Sequence, residues 1–229
     1  MALYAMGDLH LSLSAEKPMD IFGGAWEGYM EKLRNGLSVL TEEDTLVLLG
    51  DLSWALDLAS AEDDFSWIND LPGKKIILKG NHDYWWSTAA KFYKFCQEHE
   101  FRDMSILNNN HYEYDGWAIC GTRGWFFEEE RSGAHDEKVF KRELIRLETS
   151  LKSAGDLPKM VFLHYPPRYK GYECGEILEL LNRYEVRRCF YGHLHGGSHK
   201  LAMEGQWDGV EFRLVAADYL NFKPFCVIR

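Results

Sequence analysis

Short, mainly apolar runs alternate with longer segments of helical periodicity along the chain. The apolar runs are those at residues 3–6, 45–49, 75–78, 160–163 and 189–191. Their length and composition are typical of buried β-strands. Between Trp26 and Leu40 apolar residues recur at helical spacing, and the same periodicity appears in segments 88–99, 137–153 and 175–184. Strands that alternate with helices predict βαβ units and a largely parallel sheet.

Two later segments have the pattern of β-hairpins. Asp115-Gly116 separates residues 112–114 from 117–120, and Trp207-Asp208-Gly209 separates residues 201–206 from 210–216. Asp-Gly pairs favour the tight turns that join antiparallel strands. With a last strand predicted at 224–228, the sequence indicates an α/β fold with two face-to-face mixed sheets flanked by helices. We expect one domain over residues 1–229, with a long mobile loop at residues 128–136.

The composition is that of a soluble globular protein. Of the 229 residues, 46% are hydrophobic and 27% are charged, and no apolar run is long enough to cross a bilayer. The amino terminus lacks the basic region and apolar stretch of a signal peptide, so we expect a cytoplasmic location without membrane contact. The five cysteines form no C-x-x-C pair, so we expect them to pack as small hydrophobic residues.

The formal net charge of -10 limits the kinds of partner that the chain can bind. An average field of this sign repels a phosphate backbone, so general nucleic-acid binding is not expected. A locally positive site is still compatible with this charge, because bound metal ions can supply one.

Side chains that can bind metals follow the five apolar runs. In chain order they stand in Gly7-Asp8-Leu9-His10, Gly50-Asp51, Gly80-Asn81-His82-Asp83, His164 and Gly192-His193-Leu194-His195. A single D-x-H occurs in many surface loops and by itself indicates little. Because the carboxyl ends of parallel strands gather at one edge of a sheet, the whole series predicts one shared site.

This order of motifs resembles the calcineurin-like metallophosphoesterase superfamily, whose pattern runs D-x-H, G-D, G-N-H-D/E, H and G-H-x-H. The likeness extends from Asp8 to His195, nearly the whole chain. It implies a four-layer sandwich of two sheets and flanking helices, and a centre with two metal ions. The resemblance assigns Asp51 as the bridge between the ions. It gives one ion to Asp8, His10 and His195, and the other to Asn81, His164 and His193.

The ligand types agree with such a centre. Imidazole, carboxylate and amide ligands suit Mn, Fe, Zn or Ni better than Ca, and we favour Mn. Two ions about 3.5–4 Å apart can hold a hydroxide and clamp the oxygens of an in-line displacement. Two divalent ions bring four positive charges, and the carboxylates of Asp8 and Asp51 neutralise two of them. A local net charge of about +2 remains. We therefore expect a dinuclear hydrolase of phosphomonoesters or phosphodiesters, acting on a small phosphorylated substrate.

Three further residues are candidates for catalysis. By resemblance, His82 faces the leaving group and acts as general acid, and Asp83 can hydrogen-bond its other ring nitrogen. Alternatively, His82 only supports the ligands and Asp83 is a turn or helix-cap residue. Arg123, in Gly121-Thr122-Arg123-Gly124, can clamp a phosphate oxygen, although an isolated loop arginine is often an ordinary surface charge.

Aromatic residues cluster beside the motif residues, at Trp54, Tyr84, Trp85 and Trp86. They can stack on a base or aryl group of the substrate, but most are expected to pack in the core. Protein phosphatases of the superfamily have an arginine shortly after the G-D pair, and this chain lacks it after Gly50-Asp51, which argues against a phosphoprotein substrate. The chain more closely resembles the small microbial phosphohydrolases of the superfamily. The alternative function is a non-catalytic metal-binding scaffold or protein-interaction module of the same fold. A metal-storage or sensing role leaves His82 unexplained.

Overall fold

The computed structural model describes residues 1–15, 17–125 and 134–229, except for the side chains of residues 134 and 135. Residues 128–133 of the loop expected at 128–136 lie outside the described residues. The helix predicted at 137–153 begins three residues earlier, at Ala134.

Strands and helices alternate through most of the chain. In chain order they are β1 (Leu3–Met6), α1 (Tyr29–Leu37), β2 (Thr45–Leu48), α2 (Glu62–Asn69), β3 (Lys74–Ile77), α3 (Ala89–Glu98), β4 (Met104–Ile106), β5 (Tyr112–Tyr114), β6 (Trp117–Thr122), α4 (Ala134–Ser153), β7 (Lys159–Leu163), β8 (Arg168–Tyr169), β9 (Tyr172–Glu173), α5 (Gly175–Arg183), β10 (Arg188–Tyr191), β11 (Gly205–Trp207), β12 (Val210–Leu214) and β13 (Phe225–Ile228). Short 3₁₀ helices occupy Met19–Phe22, Gly24–Trp26, Ala59–Ala61 and Gly196–Leu201.

The chain divides into two compact units. Unit 1 comprises Met1–Ile106 and Val215–Arg229, and unit 2 comprises Leu107–Leu214. Each unit contains one mixed sheet with helices packed on it, so the predicted α/β class with two mixed sheets flanked by helices is confirmed.

The sheet of unit 1 has the strand order β13-β1-β2-β3-β4. The four strands from β1 to β4 are parallel, and β13 pairs antiparallel with β1 at the edge. Helices α1, α2 and α3 bury Leu33, Phe65 and Phe92 in one core with strand residues such as Leu48. The helices that connect the strands therefore cover them, in agreement with the buried strands predicted from the short apolar runs.

The main sheet of unit 2 has the strand order β11-β12-β10-β7-β6-β5. Its four central strands are parallel, and β11 and β5 pair antiparallel at the two edges. Helix α4 packs against β6 and α5. Both edge hairpins turn at an Asp-Gly pair whose residues have positive φ, at Asp115-Gly116 and Asp208-Gly209, as the Asp-Gly signal predicted.

Several elements differ from the sequence prediction. Helix α2 and strand β4 were not predicted, nor was the small β8–β9 hairpin. The strand expected at 201–206 is wrong for its first four residues, because a 3₁₀ helix runs to Leu201 and β11 begins only at Gly205. The five cysteines are all free, and four of them are buried, in agreement with their expected packing role. No helix in the described part of the chain has the length and apolar character needed to cross a bilayer.

Candidate metal centre

In unit 1, candidate ligands follow three neighbouring parallel strands. Asp8 and His10 follow β1, Asp51 follows β2 and Asn81 follows β3. The backbone N–H of Asp8 donates to the carbonyl of Gly50 (2.9 Å), and that of His10 donates to the carbonyl of Asp51 (2.9 Å). A carboxylate oxygen of Asp8 and a ring nitrogen of His10 lie within 4.8 Å of each other. The first two motifs are therefore held together by their backbones.

The loops after β2 and β3 approach each other so closely that one position must be glycine. A Cβ at Gly80 would overlap the backbone nitrogen and the carboxylate of Asp51. The backbone N–H of His82 donates to Oδ1 of Asp51 (2.8 Å). The glycine of the G-N-H-D motif thus allows the backbone beside His82 to reach the carboxylate of Asp51.

Asp83 is fully buried and lies at the centre of these loops. Its Oδ2 accepts hydrogen bonds from the N–H groups of Asp51 (2.8 Å) and Gly80 (2.7 Å), and its Oδ1 from those of Leu52 (2.8 Å) and Ser53 (3.4 Å). The indole N–H of Trp85 also donates to Oδ1 (2.8 Å). Burial raises the pKa of Asp83, although these donors act in the opposite direction. Asp83 therefore ties the loop of Asp51 to the loop of Asn81.

A second buried carboxylate, Asp64 on α2, was not singled out from the sequence. It accepts hydrogen bonds from the backbone N–H of Leu13 (2.8 Å) and from the hydroxyl of Ser53. Burial raises the pKa of Asp64. In the sequence it is one of three acidic residues in the first turn of a helix, which is an ordinary pattern. Only the fold brings it to the loops that follow β1 and β2.

In unit 2, candidate residues again follow neighbouring parallel strands. Arg123 follows β6, His164 follows β7, and His193 and His195 follow β10. Ring nitrogens of His164 and His193 lie within 4.8 Å of each other, and the ring centroids are 5.2 Å apart. His195 has a ring nitrogen within 4.8 Å of one in His199, which lies outside the five motifs.

Arg123 is held beside His164 through the backbone. Its carbonyl accepts hydrogen bonds from the N–H groups of His164 (3.1 Å) and Tyr165 (2.9 Å). Its guanidinium lies 3.6 Å from Oε1 of Glu143 and 5.8 Å from the ring centroid of Tyr165. The Tyr165 ring in turn packs edge-on against His193, with centroids 4.6 Å apart. Tyr165 had no distinguishing signal in the sequence beyond its position after His164.

Four candidate ligands have left-handed backbone conformations. The φ angles are 63° at Asp8, 48° at His10, 51° at Asp51 and 71° at His193. Such conformations are uncommon for residues other than glycine and cost of order 1–3 kcal/mol each. They gather at functional sites, where the surrounding fold can impose them. Both units show this strain in the residues that the motifs singled out.

The sequence matches the calcineurin-like phosphoesterases over residues 1–197. The chain belongs to this family. Membership gives the phosphoesterase a general activity, the metal-dependent hydrolysis of phosphoesters. No protein with a curated description matches the chain.

Solved structures similar to this phosphoesterase share its fold at low sequence identity. A protein of unknown function from Aquifex aeolicus is 19% identical, with 98% of this chain and 95% of that chain covered and a TM-score of 0.55. The phosphopantetheinyl hydrolase from Mycobacterium tuberculosis is 15% identical, with 99% and 95% covered and a TM-score of 0.60. These likenesses concern the architecture alone.

The donors of the phosphoesterase fit the metal dependence of its family. Asp8 and Asp51 are almost completely buried, as are His10 and His164. Charged groups are buried only when charge or hydrogen bonds compensate them, and a cation bound by carboxylate and imidazole does so. His/Asp groups of this composition suit Mn, Fe, Zn or Ni.

The aromatic residues beside the motifs of the phosphoesterase differ in their surroundings. Trp85 is buried in the core of unit 1, and Trp86 packs against that core, in agreement with the packing role expected for most of the cluster. Tyr84 is 55% exposed. Trp54 is half-buried and, like Trp86, packs against that core, and it also contacts two of the motif histidines, His10 and His82.

Proposed function

We propose that this phosphoesterase works with two divalent ions, of which Mn is favoured. Asp8, His10 and His195 would hold one ion, Asn81, His164 and His193 the other, and Asp51 would bridge them. The observation that carries this proposal is that each unit, by itself, brings its share of the motif residues to the carboxyl ends of adjacent parallel strands. We also infer that the two units form a single domain, because the family match runs across both.

When bound, the ions would supply a nucleophilic hydroxide at neutral pH and positive charge for the phosphoryl oxygens. His82 would donate a proton to the departing oxygen of the substrate. Its backbone N–H donates to Asp51, so its position is fixed relative to the proposed bridging ligand. A proton donor held beside the ligands in this way is what cleavage of a poor leaving group requires.

Asp83 would serve this chemistry by positioning. Its two oxygens take N–H groups from both loops, so it sets the distance between Asp51 and the segment of Asn81 and His82. The expectation that it also orients the ring of His82 stays a prediction.

Arg123 would bind a non-bridging oxygen of the phosphate. Its backbone is fixed next to His164. Its guanidinium lies 3.6 Å from the carboxylate of Glu143, a distance too long for a strong ion pair. The guanidinium can therefore turn toward a stronger anion. The preferred substrates would be small phosphomonoesters or phosphodiesters, because a chain with a net charge of -10 does not favour a nucleic-acid backbone.

A metal-reconstituted screen of phosphomonoesters, phosphodiesters and nucleotides tests this function. Wild-type protein loaded with Mn²⁺ should hydrolyse members of one class, and Asp51→Asn should abolish both turnover and tight Mn²⁺ binding. Asp57→Asn is the matched control, an exposed carboxylate six residues away that should retain both. Metal-dependent turnover that survives in Asp51→Asn would contradict the proposed centre.

His82→Ala, included in the same screen, tests the proton donor. Its kcat should fall by about 10²–10⁴-fold on an alkyl phosphate, and much less on 4-nitrophenyl phosphate, whose leaving group needs no proton. Equal losses on both substrates would show that His82 does not act as the acid. Full metal binding without turnover of any phosphoester in the wild type would instead indicate a scaffold.

A further inference from the structure

Trp54 is a half-buried residue in the loop after β2, three positions beyond Asp51. Its backbone N–H donates to the carbonyl of Leu11 (2.9 Å), which follows the D-x-H motif. The indole ring lies nearly parallel to the ring of His10, with centroids 5.0 Å apart and an angle of 22° between the planes. It also contacts the ring of His82, with centroids 4.7 Å apart and an angle of 47°.

We propose that Trp54 is a positioning residue that fixes the ring orientations of both His10 and His82. The inference rests on the roles proposed above for these two histidines, a metal ligand and a proton donor. The terminal torsion of histidine has a broad, roughly two-fold preference, so the backbone alone does not determine where each ring nitrogen points. A flat indole against both rings removes that freedom, and one residue thereby couples metal binding to proton donation.

The indole is itself held in place from a third direction. The ammonium of Lys17 lies 5.1 Å from its ring centroid, within the range of a cation–π contact. The backbone of Trp54 is therefore fixed by its hydrogen bond to Leu11, and its ring contacts two imidazoles and one cation.

The indole N–H of Trp54 is buried and, among the residues described, has no hydrogen-bond partner. A buried donor without a partner costs stability, and phenylalanine at this position would avoid that cost. Trp85 shows the ordinary solution, because its indole N–H donates to Asp83. The extended ring of Trp54 is thus retained at a cost, which its two histidine contacts explain.

Variants at this position separate positioning from packing. Trp54→Phe keeps a flat ring, Trp54→Leu keeps only apolar volume, and Trp86→Leu is the matched control because Trp86 packs against the core and the ring of Trp85. The measurements are Mn²⁺ binding by calorimetry, kcat on alkyl and 4-nitrophenyl phosphates, thermal unfolding, and the histidine ring resonances of the metal-free protein by NMR.

We expect Trp54→Leu to weaken Mn²⁺ binding about tenfold, the low end of the range for groups that orient metal ligands. Its kcat should fall more on the alkyl phosphate than on the nitrophenyl ester, and the ring resonances of His10 and His82 should broaden as the rings gain freedom. Trp54→Phe, whose ring is flat but smaller than an indole, should restore only part of each property, without loss of thermal stability. Trp86→Leu should lower thermal stability alone.

The ring resonances distinguish failure of this inference from failure of the proposed function. If the wild type hydrolyses no phosphoester but Trp54→Leu still broadens the ring resonances of both histidines, the positioning role is supported and the proposed reaction is wrong. If Trp54→Leu leaves the resonances, Mn²⁺ binding and both kcat values unchanged, Trp54 only packs and the inference is wrong.

Discussion

At the scale of single residues, the backbone of the candidate ligands is the most informative feature. Asp8, His10, Asp51 and His193 have positive φ. Asp and His are both found in this region more often than most residues, but a positive φ is uncommon even for them. His193 therefore holds its conformation because the loop after β10 imposes it, at the expense of folding free energy.

Replacing His193 in metal-free protein should reveal this strain. At ordinary helical or extended positions alanine is more stable than glycine, but at a φ of 71° the order should reverse. We expect His193→Gly to exceed His193→Ala in free energy of unfolding by up to about 1 kcal/mol, as measured by urea denaturation. At the exposed helical residue Glu179, the control, glycine should be less stable than alanine by about 1 kcal/mol. The same order at both positions would exclude backbone strain at His193.

At the scale of secondary-structure elements, the ligand loops are organised by buried carboxylates. Asp83, in the loop after β3, binds N–H groups of the loop after β2. Asp64, from α2, reaches Leu13 and Ser53, which follow the D-x-H and G-D motifs. Two carboxylates thus accept hydrogen bonds from backbone N–H groups of the loops that would otherwise bond to water. A rigid arrangement of candidate ligands is the consequence.

The raised pKa of Asp64 makes a prediction about the pH dependence of stability. A carboxyl whose pKa is higher in the folded than in the unfolded chain contributes stability that is fully present below its unfolded pKa, near 4, and is lost as pH rises through the folded pKa. Asp64→Asn, which stays neutral, lacks this dependence. Urea unfolding of metal-free protein from about pH 4 to about pH 8 should show the variant gaining stability relative to wild type.

The neighbouring Asp63 provides the control for this experiment. It is exposed, so the stability difference between Asp63→Asn and wild type should change little with pH. A difference between Asp64→Asn and wild type that is constant across the range would mean that the Asp64 pKa is the same in the folded and unfolded chain.

At the scale of the whole molecule, an acidic protein must attract an anionic substrate. The chain carries 26 basic and 36 acidic residues, so its average field opposes phosphate binding. Two divalent ions in the proposed centre would reverse the sign locally. Affinity for phosphate should therefore depend on metal loading more than on any single side chain.

Calorimetry with inorganic phosphate can measure this dependence. Phosphate should bind the Mn²⁺-loaded protein and show no measurable binding to protein stripped with a chelator. Mn²⁺ at about a hundred times its Kd should also add about 2.7 kcal/mol to the free energy of unfolding, which chelation removes. Equal phosphate affinity with and without metal would indicate that protein cations such as Arg123, and not the metal ions, bind the phosphate.

The sequence by itself determined the fold class and the candidate ligands, because both follow from the order of residues within short segments of the chain. An apolar run followed by glycine and a polar residue marks the end of a buried strand, and ends of parallel strands gather at one edge of a sheet. The strands that precede Asp8, Asp51, His164 and His193 could be predicted for this reason. The family pattern then supplied roles that no single motif carried.

The tertiary structure alone decided what surrounds those residues. Asp83 accepts N–H groups from residues about thirty positions away, and Asp64 does so across 51 positions to Leu13. The contacts of Trp54 with His10 and His82 are of the same long-range kind. Sequence spacing carries no record of such pairs, because they depend on how strand ends and helices meet in space. The left-handed backbone of His10 and His193 is likewise imposed by the packed loops, against the preference of the residue itself.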